Sequence, residues 1–371
     1  MHQTKLTAVC AIQYGFPFDS ALFTADESKG FPLIRIRDVV NGKTKTYFSG
    51  TYPQNYIVHK GDFLIGMDGE FNIAQWKSGD ALLNQRVCKI ESCNPCASSK
   101  YIYRFLQREL KRIEDETPFV TVKHLSAKRL NQIVVPLPSL TEQERIVAEL
   151  DLLTDIIDKQ KAQLKELDTL ASSIFYDMFG NPIENEKEWG VKKLGDVGII
   201  VAGGTPSTKD ASNWNGDINW ITPAEMGVQL YYGETERKIT AKAAKRLTLM
   251  PTGTVLLSTR APIGKLAITS VPMCCNQGFK NIICGSCINN IYLYYFLMLT
   301  MDKVKALGRG ATFKEVSKRD IEKYSVTLPP LSLQQSFAEK IEAIERQKAN
   351  INASIAETQK LFDYTMDKYF G

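Results

Sequence analysis

The chain has three histidines, His2, His59 and His124, and none has a counterpart in the second half of the sequence. Eight cysteines include two Cys-x-x-Cys pairs, Cys93–Cys96 and Cys284–Cys287. Four thiols in two such pairs are a donor set for structural zinc. Each pair stands alone, however, with no second knuckle near it. Loop-borne thiols in a reducing compartment are the simpler expectation, and no metal is expected. Glu236-Arg237-Lys238 has the E-x-K spacing of a metal nuclease but lacks a convincing upstream aspartate on a strand. Gly203-Gly204-Thr205-Pro206 is a turn, too short for a dinucleotide fingerprint, and no G-x-x-x-x-G-K-[ST] loop offers ATP a seat. Asn181-Pro182-Ile183-Glu184 departs at its third and fourth positions from the Asn/Asp-Pro-Pro-aromatic tetrapeptide of adenine methyltransferases. These residues predict a recogniser that performs no reaction, with no catalytic residues and no cofactor.

The side chains that remain suit a polyanion. Arg35 and Arg37 alternate within Phe31–Val39, which reads as a strand and would put both on one face, and Lys43, Lys45 and Tyr47 follow at the same period. Gln13 and Tyr14 precede the first Gly-Pro turn, Arg86 follows Asn84-Gln85, and Lys123, His124, Lys128 and Arg129 cluster before the last strand of the first half. The second half offers Thr205, Ser207, Thr208 and Lys209 after the glycines, with Trp214 beyond them. It also carries Arg260 and Lys265 around Pro262-Ile263-Gly264, then Gln277, Lys280, Arg309, Thr312, Lys314 and Lys318. Arg, Lys, Asn and Gln match base edges in the major groove. Ser, Thr and Lys on turns suit phosphates.

Two long helices must position these loops. Apolar residues at Ile146, Leu150, Leu153, Ile157, Leu164, Leu167, Ala171, Ile174 and Met178, with Gln160 as the polar step, form a heptad seam. At ~1.5 Å per residue it makes a rod of roughly 50 Å. An offset of 191 gives a second seam: Phe337, Ile341, Ile344, Lys348, Ile351, Ile355, Thr358, Phe362, Thr365 and Tyr369. Gln160 and Lys348 read as matching interruptions, so the two rods are expected to pack on each other. Prolines precede both. Thr141 with Glu144, and Ser332 with Gln335, fit capping boxes.

The repeat reaches beyond the rods. Gly61–Gly66 faces Gly253–Ser258, Asn84-Gln85 faces Asn276-Gln277, and Tyr101–Leu106 faces Tyr292–Leu297, the last pair with the spacing of a short helix. Strands are expected at Leu6–Phe18, within Trp189–Pro206, at Asp217–Thr222, and at Gln132–Pro136 and Lys323–Thr327 before the rods. Each half is therefore a mixed α/β domain followed by one long helix.

With 371 residues the chain has room for two such domains and the rods. The net charge of +5 is segregated: residues 141–180 hold nine acids against four bases and residues 332–371 six against five, leaving +11 for the remainder. Basic domains separated by acidic rods point the domains at a polyanion. The longest apolar run, Ile291–Leu299, is about half of what ~30 Å of hydrocarbon requires, and the N-terminus lacks a signal pattern. A soluble, cytoplasmic protein with no membrane partner is expected.

Several segments together resemble the specificity subunit of type I restriction–modification systems, over nearly the whole chain. They are Leu137–Ile146 and Leu328–Gln335 leading into the rods, Trp189 with Leu194-Gly195-Asp196, Gly203–Pro206, Trp220-Ile221, Tyr292–Leu297 and Gly308–Thr312. The resemblance implies an α+β fold: two pseudo-symmetric target recognition domains joined by two long helices that form an antiparallel coiled coil. The boundaries would be 1–138 for the first domain, 139–180 for its helix, 181–188 for a linker, 189–330 for the second domain and 331–371 for the second helix. It implies double-stranded DNA as ligand, each domain reading half of a split site and the coiled coil setting the spacer. It implies two modification (methyltransferase) subunits and ATP-dependent restriction subunits as partners. The first half departs from the pattern: it lacks the opening tryptophan, has Gly15-Phe16-Pro17 for Gly-Gly-Thr-Pro, and shows Thr117–Thr121 in place of the Gly-Arg-Gly segment. The competing expectations are a coiled-coil scaffold that binds no DNA, and a self-contained methyltransferase or nuclease.

Overall fold

The heptad seams become two helices of 40 residues each, Leu140–Phe179 and Leu331–Phe370. The computed structural model describes residues 2–118, 123–260, 262–310 and 314–371. Both long helices are shared between two compact units: unit 1 is Met1–Lys161 with Ala353–Gly371, and unit 2 is Ala162–Asn352. The start of one helix therefore lies in the same unit as the end of the other.

Within unit 1, Ile146, Val147 and Leu150 share a core with Met366, and Phe362, Tyr369 and Phe370 pack against it. The Tyr369 hydroxyl donates to Glu149 Oε2 at 2.7 Å, and Gln160 Nε2 donates to Ser354 Oγ at 2.7 Å. As one number rises the other falls, which is the antiparallel arrangement. In unit 2 the same direction follows from Lys348 Nζ on Asp168 at 2.8 Å and from Phe175 and Phe179 against Phe337. Every seam position from Ile146 to Met178 and from Phe337 to Tyr369 is buried or half-buried.

Two expectations about these helices need correction. Gln160 and Lys348 are not equivalent: at the 191 offset Lys348 aligns with Ile157 and Gln160 with Ile351, and each polar residue finds its own partner across the seam. Nor do the helices start on the expected capping boxes. The first begins at Leu140, one residue ahead of Thr141, and Ser139 Oγ accepts from Glu142 N at 3.3 Å. The second begins at Leu331, where the Pro330 carbonyl accepts from the amides of Leu333 and Gln334 and leaves Ser332 and Gln335 exposed.

Buried glutamines fasten each helix start. Gln143 Oε1 accepts from Ser98 N at 2.9 Å, and its Nε2 donates to Cys96 O at 2.8 Å and Pro138 O at 2.9 Å. Gln334 repeats the arrangement with Asn289 N at 2.8 Å, Cys287 O at 3.3 Å and Pro329 O at 2.8 Å. The two Cys-x-x-Cys loops are thus seats for the long helices. Cys93 and Cys96 are exposed, whereas burial, with Cys287 next, pushes the Cys284 thiol up to about 12.

The globular part of unit 1 has a four-stranded sheet in the order Cys10–Tyr14, Val87–Ser92, Phe63–Gly66, Ile73–Gln75. A second sheet pairs Phe31–Ile34 with Ala81–Leu83 in parallel, Leu33 opposite Leu82. Unit 2 repeats both. Gly198–Ala202, Lys280–Cys284, Val255–Leu257 and Leu266–Thr269 are neighbours in that order, and Trp214–Ile221 runs parallel to Met273–Cys275. In each unit a helix covers the first sheet. The helix Ser99–Glu116 is longer than the short one expected, because its apolar stripe continues through Leu110 and Ile113 and stops only before Pro118. Its counterpart Asn290–Leu299 continues, after a break at Thr300, as Met301–Ala306. Tyr101 and Tyr292, 191 apart, each donate a hydroxyl to the last strand, at Pro136 O (2.6 Å) and Thr327 O (2.9 Å). Phe175 and Phe179 are buried off the seam, in the core that holds Tyr292 and Phe337. Burial of one such ring contributes roughly 1.5–3 kcal/mol.

Two expected strands are shorter. Leu6–Val9 is a single helical turn before the strand Cys10–Tyr14. Phe31–Val39 is a strand only to Ile34, because Asp38 Oδ2 accepts from Arg35 N at 2.9 Å and opens the turn Asp38–Asn41. Arg37 has helical φ and ψ, so Arg35 and Arg37 do not share a strand face.

Candidate nucleic-acid interface

In both units three loop ends meet at the same place in the fold. The glycine that follows the first strand of the sheet, Gly15 or Gly203, lies against the turn that carries Asn84 or Asn276. A Cβ on either glycine would fall 2.0 Å from that asparagine's carbonyl oxygen, so no side chain fits there. Next to the turn runs the strand-end segment of Met67 or Thr259, whose amide donates to the carbonyl of Arg86 or Gly278. The third piece follows the covering helix: Leu125 N donates to Met67 O, and Val316 N donates to Thr259 O. This backbone cradle is common to both copies, and the side chains on it differ.

In unit 1 the cradle carries Asp68, Arg86 and His124. His124 Nδ1 lies 2.5 Å from Asp68 Oδ1, Arg86 Nε lies 3.4 Å from Asp68 Oδ2, and Arg86 Nη1 sits 3.3 Å from the imidazole. Arg86 has φ +70°, in the left-handed region, and its side chain is 56% exposed. Lys123 is engaged elsewhere: its Nζ donates to Glu114 O at 2.6 Å and the side chain is largely covered. Lys128 is exposed on the helix Ala127–Asn131, and its neighbour Arg129 pairs with Glu116 at 2.6 Å.

In unit 2 the corresponding residues are Arg260, Gly278 and Glu315. Arg260 is exposed and forms a backbone bridge with Glu315, which also bridges Arg309. Lys280 is buried and reaches Glu315 Oε1 at 3.3 Å. Arg309 is 84% exposed and lies 3.5 Å from Asp320, whose carboxyl is held below the usual carboxylate range by the Ser317 hydroxyl first and by Arg309 next. Thr205 donates to Gln277 Oε1 at 2.5 Å, tying the Gly-Gly-Thr-Pro turn to the Asn-Gln turn. A cleft of about 300 Å³ is lined by Thr222, Arg260, Pro262, Asn276 and Gln277.

The other expected residues lie away from the cradle or serve the fold. Lys265 Nζ donates to Pro223 O and Met226 O, at 2.8 and 2.7 Å, and so closes a loop. Lys43 and Lys45 are exposed before the short strand Tyr47–Phe48, in the same connection between strands of the second sheet as the exposed Arg35 and Arg37. Gln13 Nε2 donates to Asn55 O at 2.6 Å, and the Tyr14 hydroxyl to Asn131 Oδ1 at 3.1 Å. Ser207 O accepts from the Trp214 indole at 3.2 Å, while Thr208 and Lys209 are exposed on the same loop. Lys314 is exposed, and Lys318 pairs with Glu322 at 3.6 Å. Thr312 lies outside the described residues.

Sequence reasoning missed Asp68, Glu315 and Arg237. Arg237, the middle residue of the E-x-K triplet, places its guanidinium 4.0 Å from the Trp214 ring centre and 5.0 Å from that of Trp220. The repeat already pairs Asp68 with Arg260 and His124 with Glu315, so the exchange of side chains was available in the sequence. Among the described residues no group of three or more His, Cys, Asp or Glu gathers as metal ligands, and no helix is long and apolar enough to cross a membrane.

Comparison with known proteins finds one domain twice in the chain. The type I restriction modification DNA specificity domain matches twice, over residues 2–169 and 186–359. The type I restriction enzyme EcoBI specificity subunit of Escherichia coli is 44% identical over 163 residues, which are 44% of this chain and 34% of that protein. The type I restriction enzyme MjaIX specificity subunit of Methanocaldococcus jannaschii is 42% identical over 158 residues, 41% of this chain and 37% of that one. The matched stretch thus spans about a third of the length of these curated relatives. The crystal structure of the type I restriction–modification system S subunit from M. genitalium shares the fold, with a TM-score of 0.57 at 12% identity, covering 100% of this chain and 96% of that one. A backbone cradle built twice, on two halves that each match the same domain over most of the sequence, makes this chain a member of the type I restriction–modification DNA specificity domain family.

Proposed function

We propose that the chain is the DNA-reading subunit of a type I restriction–modification complex and performs no reaction itself. The observation that carries this reading is the cradle: one backbone arrangement built twice, holding Asp68, Arg86 and His124 in one unit and Arg260, Gln277, Lys280 and Glu315 in the other. A scaffold that keeps its backbone and changes its side chains is what two half-site specificities require, since base edges are distinguished by donor and acceptor patterns.

In this reading residues 1–138 and 189–330 are the two target recognition domains, joined by the linker 181–188, and the helices 139–180 and 331–371 set the unread spacer. The exposed cations Arg35, Arg37, Lys43, Lys45, Lys128, Lys209, Arg260, Arg309 and Lys314 supply backbone contacts to double-stranded DNA. Lys123, Lys265 and Lys280 drop out of that set because carbonyls or carboxylates already hold them. Two modification subunits and ATP-dependent restriction subunits supply methylation and cleavage. The charge of +11 outside the acidic helices supports a polyanion ligand over a scaffold with no nucleic acid.

The test is a domain exchange. Residues 189–330 are replaced by those of another family member, and methylated adenines are mapped in cells that also hold the modification subunits. One half-site should change and the other stay. A chimera that changes both halves, or an intact complex that methylates at no split site, refutes the reading.

A further inference from the structure

Arg86 is the one cradle cation that a carboxylate and an imidazole hold in place while most of its side chain stays in solvent. A carboxylate only accepts hydrogen bonds, so His124 Nδ1, 2.5 Å from Asp68 Oδ1, carries the hydrogen between them. That nitrogen cannot also accept from Arg86, and the other ring nitrogen is 3.5 Å from Nη1, at the limit of a hydrogen bond. Asp68 therefore pairs with the guanidinium as an ion contact at Nε, and His124 flanks Nη1. Nη2 makes no hydrogen bond among the described residues. The end-on fork of the guanidinium lies beside these two groups and is left largely unspent.

Two further observations mark this turn as incomplete. Arg86 occupies the left-handed region at φ +70°, which a non-glycine residue adopts at a cost. Two residues earlier, the buried Asn84 Oδ1 has no hydrogen-bond partner, although its counterpart Asn276 Oδ1 accepts from Gly278 N at 2.9 Å. A buried acceptor without a donor is costly unless a ligand completes it.

Resting on the DNA-reading role, we infer that Arg86, positioned by Asp68 and His124, reads a guanine in the half-site of unit 1. A planar fork of donors matches the O6 and N7 acceptors of guanine in the major groove. The preference belongs to one half-site alone. The equivalent of Arg86 in unit 2 is Gly278, which has no side chain, and the equivalents of Asp68 and His124 are Arg260 and Glu315, so the acid of unit 1 is replaced by a base and its imidazole by an acid. Asp68 and His124 are positioning residues.

The experiment uses the chain assembled with its modification subunits and a pool of duplexes randomised at both half-sites. Bound DNA is selected and sequenced for the native complex and for Arg86→Ala, Asp68→Asn and, as a control, Lys128→Ala. The native complex should select guanine at a position of the first half-site that Arg86→Ala relaxes by roughly tenfold to a hundredfold, with the second half-site unchanged. Asp68→Asn should relax the same position more weakly while thermal stability stays near that of the native chain, a selective change that loss of folding would not produce. Lys128→Ala should lower affinity for all sequences alike. Uniform weakening by Arg86→Ala with no change in base preference makes Arg86 a phosphate contact and overturns the inference, leaving the DNA-reading role standing. If the native complex selects no split site, both fall together.

Discussion

Replacing Gln334 with leucine should loosen the seat of the second long helix without abolishing the fold. The side chain is fully buried and makes three hydrogen bonds: one to the Asn289 amide at the head of the helix Asn290–Leu299, one to Cys287 O and one to Pro329 O. Leucine nearly conserves volume, so no large cavity forms, but one donor and two acceptors lose their partner. A buried group left unpaired costs about 1–3 kcal/mol, and a partly exposed one recovers much of that from water. With one of the three sites fully buried and two part-buried, the sum is about 3 kcal/mol, or roughly a hundredfold in a local opening equilibrium at 1.4 kcal/mol per decade. Hydrogen exchange read residue by residue measures it. The Asn289 amide should lose about two decades of protection in Gln334→Leu and none in Gln335→Leu, whose side chain is exposed. Gln143→Leu should act in the same way on the Ser98 amide and leave Asn289 alone. The two sites share no partner, so the double variant should be additive to within about 0.5 kcal/mol. Protection of Asn289 within threefold of native, in a folded Gln334→Leu chain, would show that the glutamine does not hold the helix start.

The remaining predictions concern the rods, the cations and the thiols. Four residues inserted after Leu167 should add about 6 Å at ~1.5 Å per residue, close to two base pairs of roughly 3.4 Å. Mapped methylation should then keep both half-sites and lengthen the spacer by one or two base pairs, and an unchanged spacer in an active complex rules the helices out as the ruler. A two-residue insertion turns the seam to the opposite face and should impair folding instead. Arg260→Ala should flatten the salt dependence of DNA binding by about one unit of slope. Lys265→Ala should leave that slope alone and lower the melting temperature, because its ammonium holds Pro223 O and Met226 O; the opposite pattern would reverse their roles. Alkylation followed by mass spectrometry at pH 8 should modify the exposed Cys93 and Cys96 first. Burial pushes Cys10, Cys88, Cys275 and Cys284 up to about 12, so only roughly one such thiol in ten thousand is ionised at that pH. Equal labelling of Cys284 and Cys93 would contradict the burial.

Periodicity and repetition were enough to read the architecture. A heptad seam is local: each apolar position follows from the one before it, so the two helices, their equal length and their buried faces were legible from spacing alone. The repeat offset, 191 or 192 residues, was equally visible, and with it the equivalence of Asn84 with Asn276 and of Tyr101 with Tyr292. What spacing could not supply was any fact that depends on a distant partner. Alternation in Phe31–Val39 looked like a strand, but the Asp38 carboxylate captures the Arg35 amide and turns the chain. The capping boxes were plausible on composition, yet Ser139 and Pro330 start the helices because the preceding strands deliver the chain there. Gln143 and Gln334 read as polar residues on an acidic helix, and they prove to be fully buried, since their partners lie 45 and 47 residues away in sequence. The cations divide in the same way. Composition could count Lys123, Lys265, Lys280 and Arg86 together, but the charge on a side chain says nothing about what it touches. Three of them are held by carbonyls or carboxylates of the fold, and Arg86 alone is anchored by an acid while still facing solvent. Only the closing of three loop ends into one cradle, a tertiary event, separates the cation that can meet a ligand from those that hold the protein together.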